Sequence, residues 1–147
     1  MDIIDLIKTK YGENCRLRSP LTKSQYQKAK MKLPKELCDI LKVSNGIDEI
    51  MTNPNTNTKI VINHIIYTFN EIKTYTDCYN YEDDIEGFIF ADNGIGDVYL
   101  LKPDGSITLY EESYRSETHE ADSLWDFFNK LPDISEVNQI TSRRKNE

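Results

Sequence analysis

Histidine and cysteine are scarce in this chain, and their scarcity excludes much chemistry. The 147 residues hold two histidines, His64 and His119, and three cysteines, Cys15, Cys38 and Cys78. No two cysteines form a CxxC pair, and no Cys/His pair has the spacing of a zinc ligand set. An odd number of thiols leaves one unpaired in any disulfide scheme, which fits reduced side chains in a cytoplasmic setting. A nucleophilic site needs a base beside a Ser, Cys or Thr, and neither histidine sits in a catalytic motif. The chain therefore reads as a non-enzyme without a cofactor.

Long apolar runs are also missing. Nothing approaches the roughly 18 residues that span a bilayer. The start, Met1-Asp2-Ile3-Ile4-Asp5, carries acids where a secretory signal carries Lys or Arg. A basic surplus is absent too, and with it the usual footprint of a nucleic-acid binder. The net charge is −7, and it is unevenly placed. Residues 1–75 carry 12 Lys and Arg against 8 Asp and Glu, whereas residues 76–147 carry 6 against 17. The acidity belongs to the C-terminal half, so a basic protein is the expected partner. The length suits one domain that needs neither disulfides nor metal to fold. Abundant Ile, Lys and Asn point to an AT-rich genome, as in many bacteria.

Hydrophobic periodicity predicts an α+β order of elements. Ile3, Ile4 and Ile7 after Asp2 predict a helix to about Lys10. A second helix follows Thr22 or Ser24 through Lys32. A third begins at Pro34, where the missing N–H costs nothing, and closes at Ser44-Asn45-Gly46. Strands are expected at Asp48–Met51, Lys59–Ile62 and Ile65–Tyr67, then a helix from about Asn70 to Asn80. Tyr81–Glu86 reads as an acidic loop. Phe88–Phe90, Asp97–Leu101 and Ser106–Tyr110 predict an antiparallel meander, with Pro103-Asp104-Gly105 as one of its turns. Glu111–Asp122 reads as polar chain without an element. Ser123 then caps a last helix with Leu124, Phe127, Phe128 and Leu131 at apolar spacing. The domain is expected over residues 1–131, with a polar tail at 132–147.

Few motifs survive their plainer readings. Gly94-Ile95-Gly96 is a GxG, but Tyr99 stands where a third glycine would, and a strand follows instead of a helix. Asp92, Asn93 and Asp97 crowd one turn without calcium-loop spacing, so they read as turn chemistry. Trp125 and its Phe neighbours read as core, and Tyr75, Tyr79 and Tyr99 as packed tyrosines. The acids are harder to dismiss. Glu82, Asp83, Asp84 and Glu86 form one group; Glu111, Glu112, Glu117, Glu120 and Asp122 form another. Both flank the meander, so they are expected to converge on one face, with Tyr81 and Tyr114 as aromatic contacts among them.

Three segments together resemble one family. They are Leu33-Pro34-Lys35-Glu36-Leu37 running to Ser44-Asn45-Gly46, then Ile66–Ile72, then Phe88-Ile89-Phe90-Ala91-Asp92-Asn93-Gly94-Ile95-Gly96-Asp97-Val98-Tyr99-Leu100-Leu101. With Asp104-Gly105, Tyr110 and the closing helix Ser123–Leu131, they resemble the SUKH superfamily, shared by fungal cell-wall synthesis regulators and many bacterial immunity proteins. The likeness covers roughly residues 22–131, and the Gly-Asp-Val-Tyr strand is its most specific part. It implies a single α+β domain whose central, mostly antiparallel sheet is flanked by helices. It also implies a role in binding protein, commonly the toxin domain that an immunity protein neutralises. The expected partner is then a cognate polymorphic toxin domain, a basic nuclease. An adaptor unconnected with toxins is the alternative. The resemblance transfers no catalytic residue.

Overall fold

Side-chain caps set where the helices begin. Asp2 accepts from the Asp5 N–H at 2.8 Å and starts α1 (Ile3–Tyr11). Thr22 and Thr68 each form a reciprocal capping box, with Gln25 and Glu71, and start α2 (Lys23–Lys32) and α4 (Phe69–Asp83). Between them α3 (Lys35–Val43) follows Pro34. Ser123 caps α5 (Leu124–Asn129) through the Asp126 N–H. The computed structural model describes residues 2–132, so nearly all of the expected polar tail, 133–147, lies outside the described residues.

Seven strands accompany these helices. They are β1 (Cys15–Leu17), β2 (Ile47–Thr52), β3 (Lys59–Ile66), β4 (Phe88–Asp92), β5 (Val98–Leu101), β6 (Ile107–Glu111) and β7 (Ser116–Ala121). Two antiparallel ladders result, in the orders β1-β2-β3 and β4-β5-β6-β7. Their inner edges meet where the Tyr67 N–H donates to the Phe90 carbonyl at 2.7 Å. The fold is thus one α+β domain with a central antiparallel sheet flanked by helices.

Strand alternation decides which helix covers which face. Tyr110 and Tyr99 point to opposite sides, because Tyr99 pairs with Leu109, the neighbour of Tyr110. Tyr110 meets Tyr79 of α4 edge-on at 5.8 Å, and Tyr99 meets Phe127 of α5 at 4.8 Å. Helices α4 and α5 therefore sandwich the sheet. Phe90, Phe128, Leu37, Leu41, Ile72 and Leu100 are fully buried between the layers.

Several expectations need correction. Tyr81, Glu82 and Asp83 are not loop but the last turn of α4, which ends only at Asp84 in a left-handed conformation (φ 54°) that Asp tolerates. Ser116–Ala121 is not structureless polar chain but strand β7. It is an edge strand exposed along most of its length, so its polar sequence carries no alternation to read. Strand β1 has three residues and gives no pattern at all. Trp125 is less a core residue than its spacing predicts: it is 38% exposed, while Phe127 and Phe128 are buried.

Two glycines in the β4–β5 turn differ in a testable way. Both have positive φ, 79° at Gly94 and 101° at Gly96. A Cβ on Gly94 would lie 2.7 Å from the Ile62 carbonyl oxygen, whereas one on Gly96 would meet nothing within 4 Å. Gly96→Ala is expected to cost only backbone strain, about 1 kcal/mol. Gly94→Ala adds a collision with β3 and is expected to cost about 2 kcal/mol or more. Urea unfolding of the two variants measures the difference.

Candidate functional site

The carboxylate of Asp92, at the end of β4, sits where the two ladders meet. Its Oδ1 accepts from the His64 N–H at 3.0 Å and the Gly94 N–H at 3.2 Å. Its Oδ2 lies 2.8 Å from His64 Nδ1 and accepts from the Tyr67 hydroxyl at 2.8 Å. A carboxylate only accepts, so Nδ1 of His64 carries the hydrogen in this contact. Burial, and then the Asp92 carboxylate, push the Tyr67 phenol far above its ordinary value, so it remains a donor. Nearby, the Asn63 amide donates to the Asp92 carbonyl at 3.2 Å. The Asn63 side-chain oxygen is buried and has no hydrogen-bond partner among the described residues.

A cleft of about 390 Å³ opens over this junction, bounded by α4, β3 and the turn after β4. Its walls are largely aromatic. The His64 and Tyr67 rings lie 5.1 Å apart, and the Tyr67 and Tyr75 rings 5.0 Å apart. Tyr79 extends the row toward the end of α4, and the exposed side chains of Val61 and Ile62 form the opposite lip. Among the described residues, no Ser, Cys or Thr lines the cleft beside the His64–Asp92 pair. Among the described residues, no group of three or more His, Cys, Asp or Glu could hold a metal ion, and no helix is long and apolar enough to cross a membrane.

On the neighbouring strands lies a second carboxylate, this one buried. Asp48 is cross-strand partner to both Arg16 and His64. It is 1% exposed and takes Arg16 at 2.8 Å and Arg18 at 3.0 Å on one oxygen. The two arginines on this side are therefore already engaged.

The acids expected to form one face divide into separate settings. The end of α4 and the β6–β7 turn do come together: the Tyr79 hydroxyl lies 3.4 Å from Glu112 Oε2, and Asp83 lies against Tyr110. Burial and then Glu112 push the Tyr79 phenol up to about 12. Tyr81, at 90% exposure, and Tyr114, at 77%, flank this junction with Glu82 exposed beside them. Glu86 and Glu117 gather instead around Lys102, which donates to the Glu86 carbonyl and lies 2.6 Å from Glu117. Burial raises Glu117, but bonds from Lys102 and Thr108 outweigh it and hold its carboxyl below the ordinary value. Asp84 is the α4 cap, and Glu111 is half-buried at the end of β6. Glu120 lies toward Tyr99, on the α5 side of the sheet.

The cleft itself escaped the sequence. His64 and Asp92 are 28 residues apart, and Asp92 reads as an ordinary turn residue because it is one. The signal available was the unexplained pairing of a strand histidine with an Asp-Asn-Gly turn.

A family model described as SMI1 / KNR4 family (SUKH-1) matches residues 26–130. No curated protein and no solved structure matches the chain.

The junction at Asp92 carries a stability prediction. Asp92→Ala leaves the His64 N–H, the Gly94 N–H and the Tyr67 hydroxyl without their acceptor and is expected to cost about 3 kcal/mol. Tyr67→Phe removes one donor to the carboxylate and is expected to cost about 1–2 kcal/mol. Chemical denaturation of both variants measures these losses, and the double variant should cost less than their sum because the two groups share one bond.

Proposed function

The chain belongs to the SMI1 / KNR4 family (SUKH-1), and from that premise we propose that it works in the cytoplasm by binding protein, as an immunity protein that occupies the basic surface of a cognate toxin domain. The observation that carries this reading is the junction of α4 with the β6–β7 turn. There Asp83 and Glu112 converge on Tyr79 and Tyr110, with exposed Tyr81 and Tyr114 beside them. Aromatic side chains among carboxylates supply contact area and direction together. A nuclease toxin must meet phosphates and is basic for that reason, so a carboxylate surface competes for the same ground. A stable complex needs about 1,600 Å² of buried surface in total. The exposed acids Glu82 and Glu112 would fall within one such footprint, and Glu86, Glu111 and Glu117 would form its rim; Glu120, on the α5 side, would lie outside it. Free thiols at Cys15, Cys38 and Cys78 support a reducing compartment.

An adaptor unlinked to toxins is the second reading. It is favoured by the apolar β2–β3 hairpin, where Met51, Ile60, Val61 and Ile62 are exposed together. The gene immediately upstream separates the two: a large toxin gene there supports immunity.

Co-expression with the neighbouring toxin domain, followed by stopped-flow association, tests the electrostatic part. The on-rate is expected to fall about tenfold or more from low to high salt. Charge reversal by Asp83→Lys with Glu112→Lys is expected to slow association about tenfold, with dissociation changing less. An on-rate indifferent to both would overturn the role given to these acids.

A further inference from the structure

The cleft over Asp92 has a chemical preference of its own, distinct from that of the acidic junction. We propose that it receives an arginine side chain of the protein partner; this rests on the protein-binding reading above and names what the cleft would recognise.

Charge selects the occupant first. Among the described residues, Asp92 is the carboxylate of the lining and neither Lys nor Arg lines it, so the lining opposes an anion. The arginines on the same sheet face are held by Asp48 and do not fill it. A cation is the complement. The walls narrow the choice further. Rings of His64, Tyr67 and Tyr75 follow one another at 5.1 Å and 5.0 Å, and Tyr79 continues them. Such rings attract a cation over their faces, and a planar guanidinium stacks on them better than a compact ammonium does.

Hydrogen-bonding capacity then favours many donors. The Asp92 carboxylate is the first acceptor that the lining presents. In its neutral form His64, with Nδ1 committed to Asp92, has Nε2 as a second acceptor. A neutral apolar occupant would strip water from these acceptors and return nothing. A guanidinium brings five N–H donors to them. At about 390 Å³ the cleft is in the ~300–1,000 Å³ range of ligand clefts. It also opens beside Tyr79, whose hydroxyl reaches Glu112, so an arginine seated here belongs to the same interface as the acidic junction.

Aromatic carbon–proton NMR of the full chain tests this directly. The probes are N-acetyl-arginine amide, N-acetyl-lysine amide and N-acetyl-norleucine amide. Arginine amide is expected to shift the His64, Tyr75 and Tyr79 ring signals saturably, with lysine amide at least ~5-fold weaker and norleucine amide silent. Tyr75→Ala is expected to weaken arginine binding at least ~5-fold, while Tyr75→Phe retains it. Ile62→Lys, at an exposed lip position, places a competing cation at the cleft without disturbing the core, so it tests the site even if Tyr75→Ala unfolds; it should abolish the shifts. Equal response to lysine or norleucine amide overturns the proposal. So do shifts that survive Ile62→Lys, or no saturable shift up to ~50 mM arginine amide. The two readings fail separately: the charge-reversal kinetics test the acidic junction, and this titration tests the cleft alone.

Discussion

The Asp92 carboxylate holds the sheet together at its weakest line. Within each ladder, strand pairing supplies backbone partners in regular order, but between β3 and β4 the Tyr67–Phe90 bond is followed by a side chain rather than by further rungs. Asp92 takes over the role of a strand there, accepting backbone N–H groups from His64 and Gly94 and a phenol from Tyr67. Hydrogen bonds to an ionised acceptor are about twice as strong as neutral ones, so one carboxylate can replace several rungs. The arrangement has a geometric consequence. Where a ladder would continue with further rungs, a side-chain bridge stands instead, and the cleft lies over that junction.

The buried carboxylate of Asp48 and the partly buried one of Asp92 follow the same rule. Asp48 and Asp92 each draw several donors, Asp48 from two arginines and Asp92 from backbone, imidazole and phenol. An unpaired buried charge is costly, and satisfying it fixes the geometry of everything that donates. Asp48 thereby ties the short β1 strand to β2, and Asp92 ties the hairpin to the meander. The difference between them lies in access. Asp48 is closed off, whereas Asp92 lines an aromatic cleft, so its charge is open to an occupant as well as serving the fold.

The sequence disclosed the parts whose causes are local. Thr22, Thr68 and Ser123 mark helix starts because a hydroxyl reaching the third N–H is a contact within four residues. The meander was legible because Pro103-Asp104-Gly105 and the apolar strands around it act over short range. Strand β7 was hidden for the opposite reason. Ser-Glu-Thr-His-Glu-Ala is a strand only because β6 offers it an edge, and with most of its side chains in water it shows no alternation. The last turn of α4 was hidden by its acids, which read as loop until Tyr79 and Asp83 are seen packed against β6 and its turn. The acidic group was therefore correctly identified as a feature of composition, while its division between the α4 junction, Lys102 and the α5 side depends on register. His64 and Asp92 belong to the same class of fact: each is ordinary in its own neighbourhood, and only the meeting of β3 with β4 makes them a site.

This division of the acids bears on how such a surface would work. The Glu117 carboxylate, held by Lys102, adds little to the field seen by a distant partner, because its charge is partly cancelled at 2.6 Å. Those at the α4 junction face water with tyrosines around them and no cation within reach of a salt bridge among the described residues. On the proposed function, long-range attraction would act at this junction, beside the Tyr79 end of the cleft. Charge at a rim governs how fast partners meet, while a concave aromatic site governs how long they stay. A surface that places the two side by side separates encounter from retention, and each can change by substitution without rebuilding the sheet beneath.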